Sequence, residues 1–253
     1  MTRAAAHRLA LFGATGRMGQ SIVRALRSAP RWSLSAAIAS EDSARLGRDV
    51  VGDGAPLGVL VGSNVPLALK DASVAMDFSA ATAVGAHARA CATAAVPLLV
   101  GTTGLDEAAQ QALRLAAERI AVLIAPNTSV SVGVLAELAA SAARHLGPDV
   151  DVQIVEIHHR DKIDAPSGTA LALKRAIEQA AARTPDSIGI AVVRAGDIVG
   201  EHTVIFASAG ECLELTHRAT DRLVFARGAL RAAEWLAAKP AGLYSMRDVL
   251  NQA

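Results

Sequence analysis

Residues 156–170 run Glu156-Ile157-His158-His159-Arg160-Asp161-Lys162-Ile163-Asp164-Ala165-Pro166-Ser167-Gly168-Thr169-Ala170 and concentrate the proton-transfer chemistry of the chain. Two adjacent histidines titrate near neutral pH and can give or take a proton. The chain has four lysines (Lys70, Lys162, Lys174, Lys239), and 25 − 4 leaves 21 arginines. An ammonium can yield its proton to a substrate while a guanidinium stays charged, so a lysine three residues after the histidine pair marks a proton donor. Ser167 or Thr169 can cap a helix over 170–182. The amides at such a start bind anions. Acid/base groups on one flank and a carboxylate cradle on the other describe a site for a small acidic substrate. An exposed turn carrying a histidine pair has the same composition, and composition weighs the two readings evenly. A metal centre is disfavoured. Consecutive side chains on an extended segment point to opposite faces, and no further Cys or His cluster is spaced around the pair.

The elements that position this stretch follow from periodicity. Val150, Val152 and Ile154 alternate with Asp151 and Gln153, the pattern of a half-buried strand that delivers Glu156, His158 and His159 to its end. Beyond the helix, strands are predicted at 188–194, 201–208 and 211–218, with a hairpin turn at Ala209-Gly210. A mixed or mostly antiparallel sheet results, with one face free for subunit contact. Helices follow at 221–238 and 246–251.

The first half has a different plan. A short strand at 8–12 runs into Gly13-Ala14-Thr15-Gly16-Arg17-Met18-Gly19, then a helix at 20–28. Strand, glycine loop and helix form the context of a dinucleotide site. Gly13 permits the turn, Gly16 lets a pyrophosphate approach the backbone, and Gly19 lets the helix pack on the sheet. The spacing is G-x-x-G-x-x-G, and a plain tight turn is the alternative. Arg17 offers a cation to a phosphate or is a solvated loop charge. The second strand, 32–39, ends at Ala39-Ser40, where an acid commonly bonds the adenosine ribose. Here Ser40 can bond a ribose hydroxyl or phosphate, and the first acids are Glu41 and Asp42. Residues 41–70 read as a long connection with weak strands around Val59 and Val61. Strands at 74–79, 97–100 and 120–125 alternate with helices at 81–94 and 106–119, which predicts βαβ units and a Rossmann-like parallel sheet. The crevice at the strand ends collects Gly101, Thr102, Thr103 and Asn127. Ordinary loop chemistry explains each of these singly. A helix at 130–146 connects the halves.

At 253 residues, 52 % hydrophobic and net charge +1, the chain can bury a large core and gives no electrostatic case for nucleic acid or membrane. Aromatics are 3 %, so Val, Leu, Ile and Ala must build that core. Cys91 and Cys212 fall in different predicted elements and read as free thiols of a reducing cytoplasm. Residues 9–12 are too short for a secretory signal, and no run of about 18 apolar residues spans a bilayer.

The stretch 156–170 resembles the signature of the 4-hydroxy-tetrahydrodipicolinate reductase family, also called dihydrodipicolinate reductase. That pattern is Glu, a hydrophobe, His-His, two variable residues, Lys, a variable residue, Asp, a variable residue, then Pro-Ser-Gly-Thr-Ala, and every fixed position is present. The likeness extends from the glycine loop to Met246-Arg247-Asp248-Val249-Leu250. It implies NAD(P)H-dependent reduction of a cyclic imine dicarboxylate to tetrahydrodipicolinate, on the route to diaminopimelate and lysine. It implies His158 and Lys162 as acid/base groups, and His159, Ser167, Gly168 and Thr169 as substrate contacts. NADH or NADPH would be bound by Gly13, Ala14, Thr15, Gly16, Arg17, Met18 and Ser40, and by Gly101, Thr102, Thr103, Ala125, Pro126, Asn127 and Thr128 on the nicotinamide side. A cofactor domain of residues 1–127 and 222–253, an α+β substrate and oligomerisation domain of residues 128–221, and a homotetramer are implied too. Ala39-Ser40, Thr128, Ser131 and Gly133 depart from the family pattern, and the choice between NADH and NADPH stays open. Another nicotinamide-dependent oxidoreductase, such as an amino-acid dehydrogenase, and a non-catalytic NADP-binding sensor are the competing readings.

Overall fold

The structure, a computed structural model, describes residues 7–251; the ends of the expected cofactor domain, 1–6 and 252–253, lie outside them. The chain divides into two compact units, after Thr128 and again before Phe225.

The first unit holds a seven-stranded parallel sheet in the order β11-β6-β5-β4-β1-β2-β3. Its strands are β1 (His7–Phe12), β2 (Trp32–Ile38), β3 (Val61–Gly62), β4 (Val74–Asp77), β5 (Leu98–Val100), β6 (Ala121–Ile124) and β11 (Gly242–Tyr244). The helices are α1 (Arg17–Leu26), α2 (Val65–Leu69), α3 (Ala81–Ala94), α4 (Glu107–Ala117), α7 (Leu223–Leu236, in this unit from Phe225 on) and α8 (Met246–Leu250). The central strands are apolar on both faces, as a covered parallel sheet requires. Leu9, Leu11 and Phe12 of β1 and Leu98 and Leu99 of β5 are fully buried. Ala10 and Phe12 pack with Val84, Ala88 and Cys91 of α3 and Leu113 of α4.

Three local expectations are corrected. Helix α1 starts at Arg17 rather than 20, because Gln20 N already bonds Gly16 O at 2.9 Å, so the helical ladder begins inside the glycine loop. Within the expected irregular connection 41–70, α2 forms where Asn64 accepts from Leu67 N at 3.0 Å and Pro66 falls in the first turn. Proline at a helix start gives up an N–H that had no partner there. Strand β11 was not expected; its three residues pair in parallel with β6.

The second unit is α5 (Val130–Leu146), β7 (Asp151–His158), α6 (Gly168–Ala181), β8 (Ile188–Arg194), β9 (Gly200–Ser208) and β10 (Glu211–Ala219). The sheet order is β10-β9-β7-β8. Strands β7 and β8 are parallel and the other pairs antiparallel. Gly210, at φ +89°, closes the β9–β10 hairpin. Leu135 and Ala139 of α5, and Leu173 and Ile177 of α6, pack on Val152, Ile154, Val204 and Phe206 of one sheet face. Each such large side chain contributes roughly 1.5–3 kcal/mol on burial. Alternation along β7 therefore sends Val152, Ile154, Glu156 and His158 inward in succession, all four buried. Among the described residues no helix is long and apolar enough to cross a membrane. Cys91 and Cys212 are free thiols.

Candidate active site

The inward face of β7 ends in two polar residues where the hydrophobic pattern would place two more apolar ones. Glu156 is 0 % exposed and His158 8 %. Glu156 Oε2 lies 2.5 Å from His158 Nδ1. Its Oε1 accepts from Ser167 N at 2.9 Å and Arg194 Nη2 at 3.0 Å. Sheet register brings these groups together, since His202 of β9 stands opposite Glu156 and Arg194 of β8 opposite His158. The His202 ring meets the His158 ring edge-on at 5.1 Å, and its Nε2 is 3.2 Å from Ser167 Oγ.

The cluster has a defined charge pattern. Burial alone would raise the Glu156 carboxyl, but Arg194, the Ser167 amide and His158 hold it below its ordinary range. Burial pulls His158 below the usual histidine value; Glu156 opposes this, and Lys162 and Arg194 reinforce it. His202 is driven down to about 3, chiefly by burial and then by His158. A neutral His158 whose Nδ1 faces an anion carries its proton there, because a carboxylate only accepts. Its Nε2 is then the atom left for chemistry. Ligand-type atoms of Glu156, His158 and His202 lie within 4.8 Å of one another and are of metal-binding kinds. Glu156 already spends Oε1 on Arg194 and Ser167, and Oε2 faces His158.

His159 turns to the opposite side of the chain and is half-buried. Lys162 follows on the loop 159–167, with its N–H on His159 O at 3.1 Å. Its ammonium contacts both oxygens of Asp164, at 2.7 and 2.8 Å. Burial would raise Asp164, but Lys162 holds it below its ordinary value. Ser167 is the N-cap of α6; its Oγ accepts from Ala170 N at 3.2 Å. The amides of the first turn, Gly168 among them, have no helical carbonyl to bond. Thr169 is buried beside them. The sequence thus brings His158, Lys162, Ser167, Gly168 and Thr169 to one strand end and helix start.

In the first unit a cleft of about 420 Å³ is lined by Gly13, Thr15 and Gly16, by Ile38, Ala39, Ser40 and Glu41, by Ser63 and Val65, and by Phe78, Ser79, Ala80, Ala83 and His87. A Cβ on Gly13 would come 2.4 Å from Phe78 O, and one on Gly19 2.2 Å from Gly13 O, so both glycines are forced by close backbone approach. Ala14 is buried under the loop, while Gly16 and Arg17 are exposed and Met18 half-buried. At the next strand ends the expected residues divide by role. Gly101 leaves room for the Phe78 ring, which a Cβ would meet at 2.0 Å. Thr102 is buried, with its hydroxyl on Asp77 Oδ1 at 3.2 Å, while Thr103 is exposed. Ala125 is buried with its N–H on Val100 O at 2.9 Å; Pro126 is exposed and Asn127 half-buried. Thr128 spends its hydroxyl on Phe225 O at 2.7 Å. The side chains of Thr102 and Thr128 are thus committed to the scaffold.

Sequence reasoning missed Arg194, His202, Asp77 and His87. Asp77, 0 % exposed at the end of β4, accepts from His87 Nδ1 at 2.7 Å and from Ser79 N and Oγ at 2.9 and 2.6 Å. A buried Asp ending an apolar strand was the available signal. Arg194 and His202 carried none, being ordinary polar positions on two strands.

Two family models match this chain: one described as dihydrodipicolinate reductase, N-terminus, over residues 7–128, and one described as dihydrodipicolinate reductase, C-terminus, over 131–250. A protein of Thiobacillus denitrificans named 4-hydroxy-tetrahydrodipicolinate reductase is 44 % identical over 262 residues, covering 96 % of this chain and 98 % of its own. One of Anaeromyxobacter dehalogenans with the same name is 45 % identical over 258 residues, covering 94 % and 96 %. The solved structure of a dipicolinate-bound dihydrodipicolinate reductase from a Paenisporosarcina species has a TM-score of 0.79 at 25 % identity, covering 96 % of this chain and 99 % of that one. An amine dehydrogenase from Mycobacterium smegmatis, at TM-score 0.61 and 14 % identity, shares the fold alone. With its Rossmann-like sheet, its glycine loop and an intact Glu156-to-Ala170 signature, this chain belongs to the dihydrodipicolinate reductase family of oxidoreductases.

Proposed function

We propose that the chain reduces the cyclic imine dicarboxylate derived from 4-hydroxy-tetrahydrodipicolinate to tetrahydrodipicolinate, with NADH or NADPH, on the route to diaminopimelate and lysine. The observation that carries this reading is the convergence of His158, Lys162 and the capped start of α6 at one strand end. When bound, the reduced nicotinamide supplies the hydride. Lys162 leaves Asp164 for the substrate, offsets the negative charge that develops at the ring nitrogen, and donates the proton. His158, through Nε2, takes part in the same proton transfer. General acid catalysis of this kind contributes about 10²–10⁴-fold. His159 and the Ser167, Gly168 and Thr169 groups hold the substrate carboxylates.

The first unit fits a dinucleotide. Gly13, Ala14, Thr15, Gly16, Arg17 and Met18 would cradle the pyrophosphate, and Ser40 the ribose. Backbone of Gly101, Thr102, Thr103, Ala125, Pro126, Asn127 and Thr128 would receive the nicotinamide half. Among the described residues lining the cleft the one acid is Glu41, and there is no Lys or Arg. A 2′-phosphate would meet an anion and no lysine or arginine there, which favours NADH. The second unit, as the substrate domain, also carries the oligomer contact. The sheet face opposite α5 and α6 bears Val155, Ile157, Val193 and Ile205, none of them fully buried in the single chain. That face supports a homotetramer, working in the cytoplasm.

Purified protein given freshly generated 4-hydroxy-tetrahydrodipicolinate should oxidise NADH faster than NADPH. No turnover with either cofactor, from protein that binds one, would overturn the reading. A rate higher with NADPH would overturn the role of Glu41 alone.

A further inference from the structure

We propose that Glu156, locked by Arg194, is the positioning residue of this site: it fixes His158 with Nδ1–H inward and ties the strand end, the loop 159–167 and the start of α6 into one unit. The inference rests on the function proposed above for the role of His158 and Lys162. Its geometry does not.

Glu156 meets three separate segments through one side chain. Oε2 faces His158 of its own strand at 2.5 Å. Oε1 takes the Ser167 amide, the last residue before α6, and the Arg194 guanidinium of β8. Arg194 in turn donates from Nε to Lys162 O at 3.2 Å and from Nη2 to Asp164 O at 2.6 Å. The loop that carries the proton donor is thus held by its main chain, while the Lys162 side chain contacts the exposed Asp164 carboxylate and can exchange it for a substrate carboxylate. Gly200 of β9 completes the seat of the ring, since a Cβ there would lie 3.1 Å from His158 Nε2. A fully buried, ionised carboxylate is costly unless it is hydrogen-bonded. Here Oε1 is satisfied by the start of α6 and by the arginine that braces the loop, while Oε2 has His158 Nδ1 as its close contact and no other hydrogen bond among the described residues.

The groups facing His158 are Glu156 on β7, Arg194 on β8, His202 on β9 and Lys162 on the loop; His217 of β10 acts on His202. Glu156 favours protonated His158, whereas Arg194 and Lys162 disfavour it. Removal of either partner of the Glu156–Arg194 pair therefore has opposite consequences, which a general loosening of the fold would not produce.

The test uses Glu156→Gln and Arg194→Gln in the full-length protein, with His158 followed by NMR in histidine-labelled samples and assigned against His158→Gln. Glu156→Gln should move the His158 titration to lower pH and erase its fixed Nδ1–H tautomer. It should also lower kcat more than tenfold, with KM for the imine changed less than threefold and NADH binding retained. Arg194→Gln should move the titration to higher pH and raise KM, as the loop loses its brace. Shifts of the same sign in both variants, or an unmoved titration with kcat preserved in Glu156→Gln, would overturn the proposal. If Glu156→Gln does not fold, a downward or absent shift in Arg194→Gln overturns it alone. The titration needs no substrate, so a parent protein without turnover would sink the proposed reaction and leave this result to be read separately.

Discussion

Asp77→Ala tests how the floor of the first unit's cleft is held. The carboxylate is 0 % exposed and accepts from Ser79 N, Ser79 Oγ, His87 Nδ1 and Thr102 Oγ1. Alanine strands the Ser79 amide and His87 Nδ1, while the Ser79 and Thr102 hydroxyls fall back on backbone carbonyls. At about 1–3 kcal/mol for each buried donor left without a partner, the two stranded donors give a loss of about 3–5 kcal/mol. Asp77→Asn keeps an acceptor for Ser79 but removes the charge opposite His87, so it should lose about half as much. Urea unfolding at pH 7 reads both as a lower midpoint at unchanged slope. The effect also has a pH signature. Burial alone would raise the Asp77 carboxyl, but His87 and Ser79 hold it below its ordinary value. A folded-state pKa depressed below the unfolded value of about 3.9 gives stability that is present above that pH and lost as pH falls through the folded pKa. The gap between parent and Asp77→Asn should therefore narrow as pH falls below about 4. A loss under 1 kcal/mol in Asp77→Ala, or a gap that does not narrow in acid, would refute this account.

Lys162→Ala should lower kcat strongly with little change in cofactor affinity, and equal kcat in mutant and parent would remove Lys162 as the donor. Gly101→Ala places a Cβ 2.0 Å from the Phe78 ring, which lines the cleft. Overpacking costs roughly 1–3 kcal/mol, and the displaced ring should weaken NADH binding; fluorescence titration that finds unchanged affinity and thermal stability would count against it. Ser167→Ala deletes the cap of α6 and the hydroxyl beside His202. It should cost about 1 kcal/mol and raise KM for the imine, so denaturant midpoints and steady-state rates that both match the parent would exclude that role.

The sequence by itself determined the alternation of strands and helices, the glycine loop, and the segment 156–170, because these depend on local periodicity and on residues that are neighbours in the chain. The 81–94 and 130–146 helices fall where their patterns predict, as α3 and α5. Short elements were illegible for an equally local reason. The five residues of α2 and three of β11 are too few to show a period, and their existence depends on Asn64 capping and on pairing with β6. The candidate site divides the same way. His158, Lys162 and Ser167 could be named from spacing, but the partners that set the charge state of His158 and hold the other two in place could not. Arg194 and His202 lie 38 and 35 residues from the groups they contact, Glu156 and Ser167, and only the register of β7 with β8 and β9 brings them there. Thr102 and Thr128 turn their hydroxyls to the scaffold for the same reason, since Asp77 and the Phe225 carbonyl reach them through the fold. Chain order fixed which chemical groups were available; burial and cross-strand register decided which of them became charged, neutral or committed.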